Sequence, residues 1–150
     1  MAAPELVNGS HLVQDLEAIS QREGSTRTAD KIDAFLDEMD ASEDAIWKLT
    51  RDYAEQNYPA PIFNCRIVRF FAERGYFVYR LRPLKALGQF RILYAYDGKD
   101  EQIHLLAVVR KRPEGPEFEK DVTYYGYEPD HPISKRVMAE YDLLGLPRYN

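Results

Sequence analysis

An alternation of side chains with a period of two runs through residues 76–112 and constrains the fold more than any other feature. The segments "YFVYRLR" and "QFRILYAY" place an apolar side chain at every second position. This is the period of a β-strand, in which successive side chains point to opposite faces. The positions that would share the apolar face are Phe77, Tyr79, Leu81, Phe90, Ile92, Tyr94 and Tyr96. The sequence thus predicts consecutive strands whose other face carries Arg80, Arg82 and Arg91.

A third strand is predicted after "DGKD", because Asp-Gly between two strand-like segments is a common hairpin turn. "QIHLLAVV" is largely apolar, as expected of a well-covered strand. If its alternation continues from Ile103, Arg110 joins Arg91 on one face and Lys111 lies on the core face. A β-bulge would reverse that assignment. Both Arg110 and Lys111 therefore remain candidates for the basic face.

Helical periodicity precedes these strands. "TADKIDAFLDEMD" spaces its apolar residues three and four apart, which predicts an amphipathic helix with Thr28 placed to cap it. A second helix is predicted from about Ser42, with Ile46, Leu49 and Tyr53 at helical spacing, until the prolines of "YPAP" end it. The two helices would pair as a hairpin. "RIVRFF", which follows, favours a short strand.

The two ends of the chain complete the predicted architecture. Residues 1–28 are expected to form an N-terminal extension that is flexible in part, although "HLVQDLEAIS" fits either a strand or a short helix. Residues 113–150 are expected to form an extended tail whose closing helix begins at Pro132 and ends near Gly145. The sequence therefore predicts one α+β domain over residues 1–150. In it, an N-terminal helical hairpin packs on an antiparallel sheet of three to four strands, and a C-terminal helix follows.

Charge is segregated along the chain, although the total is only −5. Residues 1–60 hold 5 basic and 13 acidic residues, whereas residues 61–112 hold 11 basic and 4 acidic ones. The remaining residues, 113–150, hold 4 basic and 8 acidic ones. A clustered positive field attracts phosphate whatever the total charge is. The alternative is that acidic flanks neutralise the basic centre in the folded protein.

Several classes of protein are excluded by what the sequence lacks. It has no apolar run long enough for a membrane helix and no secretory signal, so we expect a cytoplasmic protein. The single cysteine, Cys65, cannot form an internal disulfide, and a small buried thiol is its expected role. The three histidines have no partners at metal-ligand spacing. We therefore expect neither a metal nor another cofactor.

The succession "YRLRP…QFRILYAYD…IHLLAVVRK" resembles the RelE/ParE-type toxins of toxin–antitoxin systems. Their middle strands carry a Tyr-Arg core, followed by an apolar strand that ends in basic residues. The resemblance covers residues 76–111 by motif and 29–112 by order of elements. It implies a RelE-like fold and a growth-inhibiting endoribonuclease that cleaves mRNA, in some cases on the ribosome, without a metal. It also implies a cognate antitoxin as partner, with a homodimer as a further candidate.

The resemblance carries over to particular residues of this chain. Arg91 falls on the family's sheet arginine, Arg80 or Arg82 on its preceding basic strand, and Lys111 on the basic residue that closes the last strand. Tyr124 or Tyr125 is the nearest analogue of the C-terminal aromatic acid/base group. The expected catalytic residues are Arg82, Arg91, Arg110, Lys111, Tyr124 and Tyr125. The expected RNA-binding residues are Arg80, Lys85 and Arg112.

Metal-free RNA cleavage explains why such residue types would be needed. The ribose 2′-hydroxyl attacks the adjacent phosphate, and one group accepts its proton while another protonates the leaving 5′-oxygen. Guanidinium and ammonium groups stabilise the charge that builds on the phosphoryl oxygens. Clustered positive charges also lower the pKa of a neighbouring Lys or Tyr.

Two alternatives remain open. The chain could be a non-catalytic protein-binding module of the same fold, either a ParE-like topoisomerase inhibitor or an inactive relative bound by an antitoxin. The exposed arginines could also serve only solubility. Among the histidines, His104 is more typical of a structural side chain in an apolar strand, and His131, before Pro132, of a helix cap.

Overall fold

The computed structural model of the protein describes residues 2–149. These residues form six strands and five α-helices. The strands are β1 (Glu5–Asn8), β2 (Tyr53–Gln56), β3 (Phe63–Ile67), β4 (Tyr79–Pro83), β5 (Phe90–Asp97) and β6 (Gln102–Arg110). The helices are α1 (Leu12–Glu23), α2 (Arg27–Asp40), α3 (Glu43–Lys48), α4 (Arg69–Ala72) and α5 (Pro132–Leu143).

All six strands belong to one sheet in the order β1-β6-β5-β4-β3-β2. Every neighbouring pair is antiparallel except β1 and β6, which are parallel. The α+β class, the N-terminal helices packed on the sheet and the C-terminal helix are confirmed. The predicted number of strands was too low, because β1 and β2 are four-residue strands at the two edges of the sheet.

Each face of the sheet is covered by a different set of helices. On the first face, β4 and β5 pack against α1, α2 and α3 through the predicted apolar positions, and Leu81, Ile92 and Tyr94 are fully buried. On the second face, α5 packs over Leu93 and its apolar neighbours on β6. The strand alternation predicted for β4 and β5 is therefore confirmed. The arginines lie on that part of the second face that α5 leaves uncovered.

The N-terminal helices differ in part from the prediction. Helix α2 covers its predicted segment, with Ala29, Ile32 and Met39 among its buried residues. Thr28 does not cap it, because the helix begins at Arg27 after Thr26, and the Thr28 hydroxyl donates to Glu23 instead. The Ser42 hydroxyl caps α3 by accepting a hydrogen bond from the Ala45 backbone N–H at 3.2 Å. However, α3 ends at Lys48, and Tyr53 begins β2, where it pairs with Arg66 of β3. The helical spacing of three apolar residues was too short a signal to exclude a strand.

Residues 5–23 form β1 and α1 and not the partly flexible extension that the sequence suggested. Strand β1 pairs with the first half of β6, and Leu12, Leu16 and Ile19 of α1 are buried against the first face. The segment "RIVRFF" also differs from its prediction, since β3 ends at Ile67 and α4 follows.

A buried ion pair joins the helices of the two faces at the edge of β6. Asp15 of α1, 8 % exposed, accepts two hydrogen bonds from the Arg136 guanidinium of α5, at 2.8 and 2.6 Å. One oxygen of the same carboxylate also accepts from the Val108 backbone N–H at 2.9 Å. Strand β1 pairs with β6 only as far as Leu105, so the Val108 N–H on this edge of β6 has no partner in β1. The Asp15 carboxylate takes that place as its acceptor.

Helix α5 begins at Pro132 as predicted, and His131 caps it. His131 Nδ1 accepts from the Ile133 N–H at 3.0 Å, so Nε2 carries the proton and donates to the carbonyl oxygens of Val122 and Tyr124. Val137 and Tyr141 of α5 are buried against the second face of the sheet. Within residues 2–149, no helix is both long and apolar enough to cross a membrane.

Candidate functional site

Five basic side chains gather on the uncovered part of the second face, and we call them the basic face. They come from three strands and from the residue that follows β6. Arg66 on β3 is the direct cross-strand partner of Arg80 on β4. The members of the basic face are Arg66, Arg80, Arg82, Arg91 and Lys111.

A β-bulge decides which residue of the "RK" pair reaches this face. Leu93 pairs with Ala107 and Tyr94 with Leu105, so Leu106 is an extra residue on β6. Leu106 and Ala107 both lie in the core under α5, which inverts the alternation beyond them. Lys111 consequently joins the basic face. The simple alternation that placed Arg110 there was wrong.

Arg91 is the most buried member of the basic face, at 5 % exposure. Its Nη1 donates to the carbonyl oxygens of Gly88, at 2.6 Å, and Phe90, at 2.8 Å. Burial, reinforced by the charges of Arg82 and Arg80, lowers its pKa to about 10. Such a lowered pKa means that the positive charge of Arg91 is removed from solvent and is not stabilised by a nearby carboxylate among the described residues.

The neighbouring arginines are likewise without counter-charges. Arg80 donates to the Asn64 Oδ1 at 2.8 Å, and its pKa is lowered by burial and by Arg66 and Arg82. The Arg82 Nε is buried and has no hydrogen-bond partner. Within the described part of the chain, no ion pair joins a carboxylate to any member of the basic face. The acidic flanks therefore leave this cluster open.

Lys111 is exposed at the rim of the basic face. Its pKa is lowered, first by partial burial and then by the positive charges of Arg91, Arg82 and Arg80. A lysine whose pKa is lowered holds a larger fraction of neutral amine near physiological pH, and a neutral amine can accept a proton.

The tail tyrosines do not lie where a proton-transfer group was expected. Tyr125 is 2 % exposed, its Oη lies 2.6 Å from the Ser134 Oγ, and burial raises its pKa. Tyr124 lies on the first face, where the Arg110 Cζ is 3.7 Å from the centroid of its ring. Arg110 also donates to the Thr123 Oγ1 at 2.7 Å. The side chains of Arg110 and Tyr124 thus lie away from the basic face. The Tyr125 backbone bridges to that of Lys111, but the Tyr125 hydroxyl is bonded within the core.

Tyr127, which sequence reasoning missed, is the tyrosine that reaches the basic face. Its ring packs on Tyr125, with the centroids 4.8 Å apart. Burial raises its pKa, although Arg80, Arg91 and Arg66 act in the opposite direction. Its Oη is buried and has no hydrogen-bond partner. Its backbone has φ of 64°, an unusual left-handed conformation for a bulky residue.

The remaining predicted residues lie apart from the centre of the basic face. Arg112 forms an ion pair with Glu128 of the tail. Lys85 is exposed in a short 3-10 turn, Lys85–Leu87, after β4. His104 is 7 % exposed on β6. Among residues 2–149, no three His, Cys, Asp or Glu side chains come together as a metal site would require.

Strand parity alone could have located Arg80, Arg82 and Arg91. Lys111 needed knowledge of the bulge, and Tyr127 needed the path of the tail, for which a single sequence gives no local signal. Comparison with family models, with curated proteins and with solved structures gave no match for this chain.

Proposed function

We propose that this protein is a RelE-like toxin that binds the phosphate backbone of RNA on its basic face and cleaves the bound strand without a metal. The observation that carries the proposal is a cluster of five cations to which no described carboxylate is paired. Proteins rarely keep such a cluster unless an anion neutralises it.

The positions of the ion pairs in this chain support the same proposal. Glu128 pairs with Arg112, and Asp15 pairs with Arg136, so carboxylates neutralise arginines that lie outside the basic face. If the arginines served only solubility, we would expect them to be exposed and to form ion pairs with neighbouring Asp or Glu side chains. Here a partly buried guanidinium, Arg91, has its pKa lowered instead.

A phosphate diester fits the cluster chemically. An exposed guanidinium can donate two parallel hydrogen bonds to phosphate oxygens, and a bound anion would offset the repulsion between Arg82 and Arg91. The RelE-like assignment within the α+β class rests on the motifs "YRLRP" and "QFRILYAYD". It rests also on the succession of helices, antiparallel strands and closing helix. A cognate antitoxin as partner is part of this proposal.

For cleavage, Lys111 is the candidate proton acceptor, because partial burial and the charges of Arg91, Arg82 and Arg80 lower the pKa of its amine. Its neutral amine would accept the proton of the 2′-hydroxyl as the 2′-oxygen bonds to phosphorus and the bond from phosphorus to the 5′-oxygen breaks. The 5′-oxygen would take a proton from water. Arg82 would hold the phosphoryl oxygens, and the positive charge of Arg91 beside it would help to stabilise the negative charge that increases on them in the transition state.

A second candidate is a non-catalytic binding module of the same fold. It is favoured by the positions of the tail tyrosines, because Tyr125 Oη is bonded within the core and Tyr127 Oη is enclosed. Both hydroxyls are buried, so neither is exposed to a phosphate that arrives from solvent. Such a module would bind RNA or a protein target, such as a topoisomerase, without cutting a strand.

Induction in a bacterial host separates these candidates. Wild type, Arg82→Gln, Lys111→Arg and the control Arg27→Gln, which changes an exposed residue of α2, are compared for growth and for the integrity of total RNA. The proposal predicts that wild type and Arg27→Gln arrest growth and shorten mRNA, and that the other two variants do not. Growth arrest with intact RNA would favour a protein target. Absence of any effect with wild type would contradict the toxin assignment.

A further inference from the structure

A cleft of about 480 Å³ opens beside the basic face, between β3, α4, β4 and the tail. Small-molecule sites in proteins commonly have volumes of about 300–1,000 Å³. The side chains that line the cleft are Arg66, Ile67, Val68, Arg69, Phe70, Arg80 and Tyr127. None of the predicted catalytic residues is among them.

The walls of the cleft combine two kinds of chemistry. One part is cationic, since three guanidinium groups line it and no carboxylate does. The other part is apolar and aromatic, with the half-buried rings of Phe70 and Tyr127 on it. Phe70 is itself held in place, because its ring packs edge-to-face with Phe71 and the Arg74 Cζ lies 4.1 Å from its centroid.

The cleft is continuous with the basic face through two shared residues. Arg66 and Arg80 belong to both, and Arg80 acts electrostatically on Arg91 and Lys111. A strand whose phosphate lies on Arg80 and Arg82 therefore has an aromatic wall within reach of the adjoining nucleotide.

We propose that this cleft binds the base of one unstacked nucleotide of a single-stranded RNA whose phosphates lie on the basic face. This inference rests on the proposed function and adds the form of the substrate: a strand with an accessible base and not a closed duplex. In a duplex, the bases are stacked and paired and cannot enter such a cleft. Single-stranded RNA offers its bases to aromatic and guanidinium planes.

The mixed walls decide between the possible ligands. A phosphate or another small anion would use the arginines and leave the aromatic wall unfilled. Arg69 is exposed and pairs with Glu73, but among residues 2–149 Arg66 and Arg80 have no carboxylate partner. A purely apolar ligand would desolvate these two guanidinium groups without neutralising them. A nucleotide satisfies both parts, because it joins a planar ring to an anion.

The strained backbone of Tyr127 agrees with this role. A bulky residue in the left-handed region is unfavourable, and the fold nevertheless uses it to direct this ring onto the basic face. Tyr127 thereby forms part of the wall of the cleft.

The test compares two labelled single strands of equal length and charge, one of normal RNA and one composed only of abasic ribose phosphates. Binding is measured by fluorescence anisotropy for wild type, Phe70→Leu and Phe70→Trp. Phe118→Leu is the matched control, because Phe118 is also half-buried but packs on Tyr124, away from the basic face. We expect wild type and Phe118→Leu to bind the normal strand about tenfold more tightly than the abasic one, as for one stacked base. Phe70→Leu should remove most of this difference without changing the affinity for the abasic strand, and Phe70→Trp should preserve it.

Equal affinity of wild type for the two strands, or a preference that persists in Phe70→Leu, would overturn the proposal. Binding of both strands that depends on Arg82 would in that case leave the proposed function standing. If neither strand binds, the proposed function fails as well. Adenosine monophosphate is titrated in parallel, and tighter binding of this free nucleotide than of the strand would overturn the assignment to RNA.

Discussion

Arg110 and Lys111 are consecutive in sequence, but their side chains lie on opposite faces of the sheet. Arg110 packs on Tyr124 on the first face, whereas Lys111 interacts with Arg91 and Arg82 on the second. Strand alternation separates the two side chains, and the extra residue at Leu106 decides which of them lies on which face, because it inverts the alternation of β6 before either residue is reached.

This relationship predicts a contrast between two neighbouring substitutions. Lys111→Ala should weaken binding of single-stranded RNA and reduce the salt dependence of the binding constant by about 0.7 in log–log slope, the value for one phosphate contact. Arg110→Ala should change affinity less than about twofold, as its guanidinium lies on the other side of the sheet. Anisotropy titrations at several salt concentrations measure both effects. A larger loss for Arg110→Ala would contradict the assignment of faces.

A second prediction concerns the stability cost of Arg91. The fall of its pKa from 12.5 to about 10 corresponds to about 3 kcal/mol against the charged form in the fold. That cost is fully present at neutral pH and would disappear only as pH rises through 10 toward 12.5. Arg91→Met loses two hydrogen bonds, at about 1 kcal/mol each, so a net gain of about 1 kcal/mol in the free energy of unfolding is expected.

Urea unfolding measures that gain, with Arg27→Met as the control because Arg27 is exposed. The same Arg91→Met protein should lose RNA affinity. A protein that becomes less stable on losing Arg91 would show that the guanidinium is a structural group rather than one held for an anion.

The pH dependence of cleavage provides a third prediction. If Lys111 accepts the 2′-hydroxyl proton, the rate rises with pH as its amine becomes neutral, and it levels off at a pH below the ordinary lysine pKa of about 10.4. Lys111→Arg keeps the positive charge but cannot lose its proton in this range. It should therefore bind RNA within about threefold of wild type and cleave it at least a hundredfold more slowly. Equal cleavage by Lys111→Arg would assign the residue to charge stabilisation alone.

A fourth prediction separates stability from function at the buried pair. Arg136→Met leaves the Asp15 carboxylate in the core without its cation, which should cost about 3 kcal/mol of the free energy of unfolding. Adding Asp15→Asn removes the unpaired charge, so the double variant should be more stable than Arg136→Met. Lys135→Met, at an exposed neighbouring position of α5, should have little effect. Affinity for RNA should stay within about twofold in all three, since the pair lies outside the basic face.

The sequence could predict features that repeat. The two-residue period of "YFVYRLR" and "QFRILYAY" located β4, β5 and the arginine side of the sheet, and the helical spacing in "TADKIDAFLDEMD" located α2. Both patterns extend over enough residues for one period to be distinguished from the other.

Features that depend on distant partners could not be predicted in this way. The four residues of β1 form a strand because they pair with β6. Tyr53 lies in a strand and not in a helix because β2 pairs with β3. The residues around the bulge at Leu106 have ordinary strand propensity, so nothing local in the sequence marks it. The bulge nevertheless places Lys111, and not Arg110, on the basic face. Tyr127 reaches the basic face through a fold of the tail that its neighbours in sequence do not specify.

The most direct test of the central claim is the affinity for a labelled single-stranded RNA at low salt. Wild type is compared with a triple variant, Arg82→Gln, Arg91→Met and Lys111→Gln, whose fold is checked by circular dichroism. The account predicts that the folded triple variant loses more than about a hundredfold in affinity and most of the salt dependence. A folded triple variant that binds RNA as tightly as wild type would contradict it.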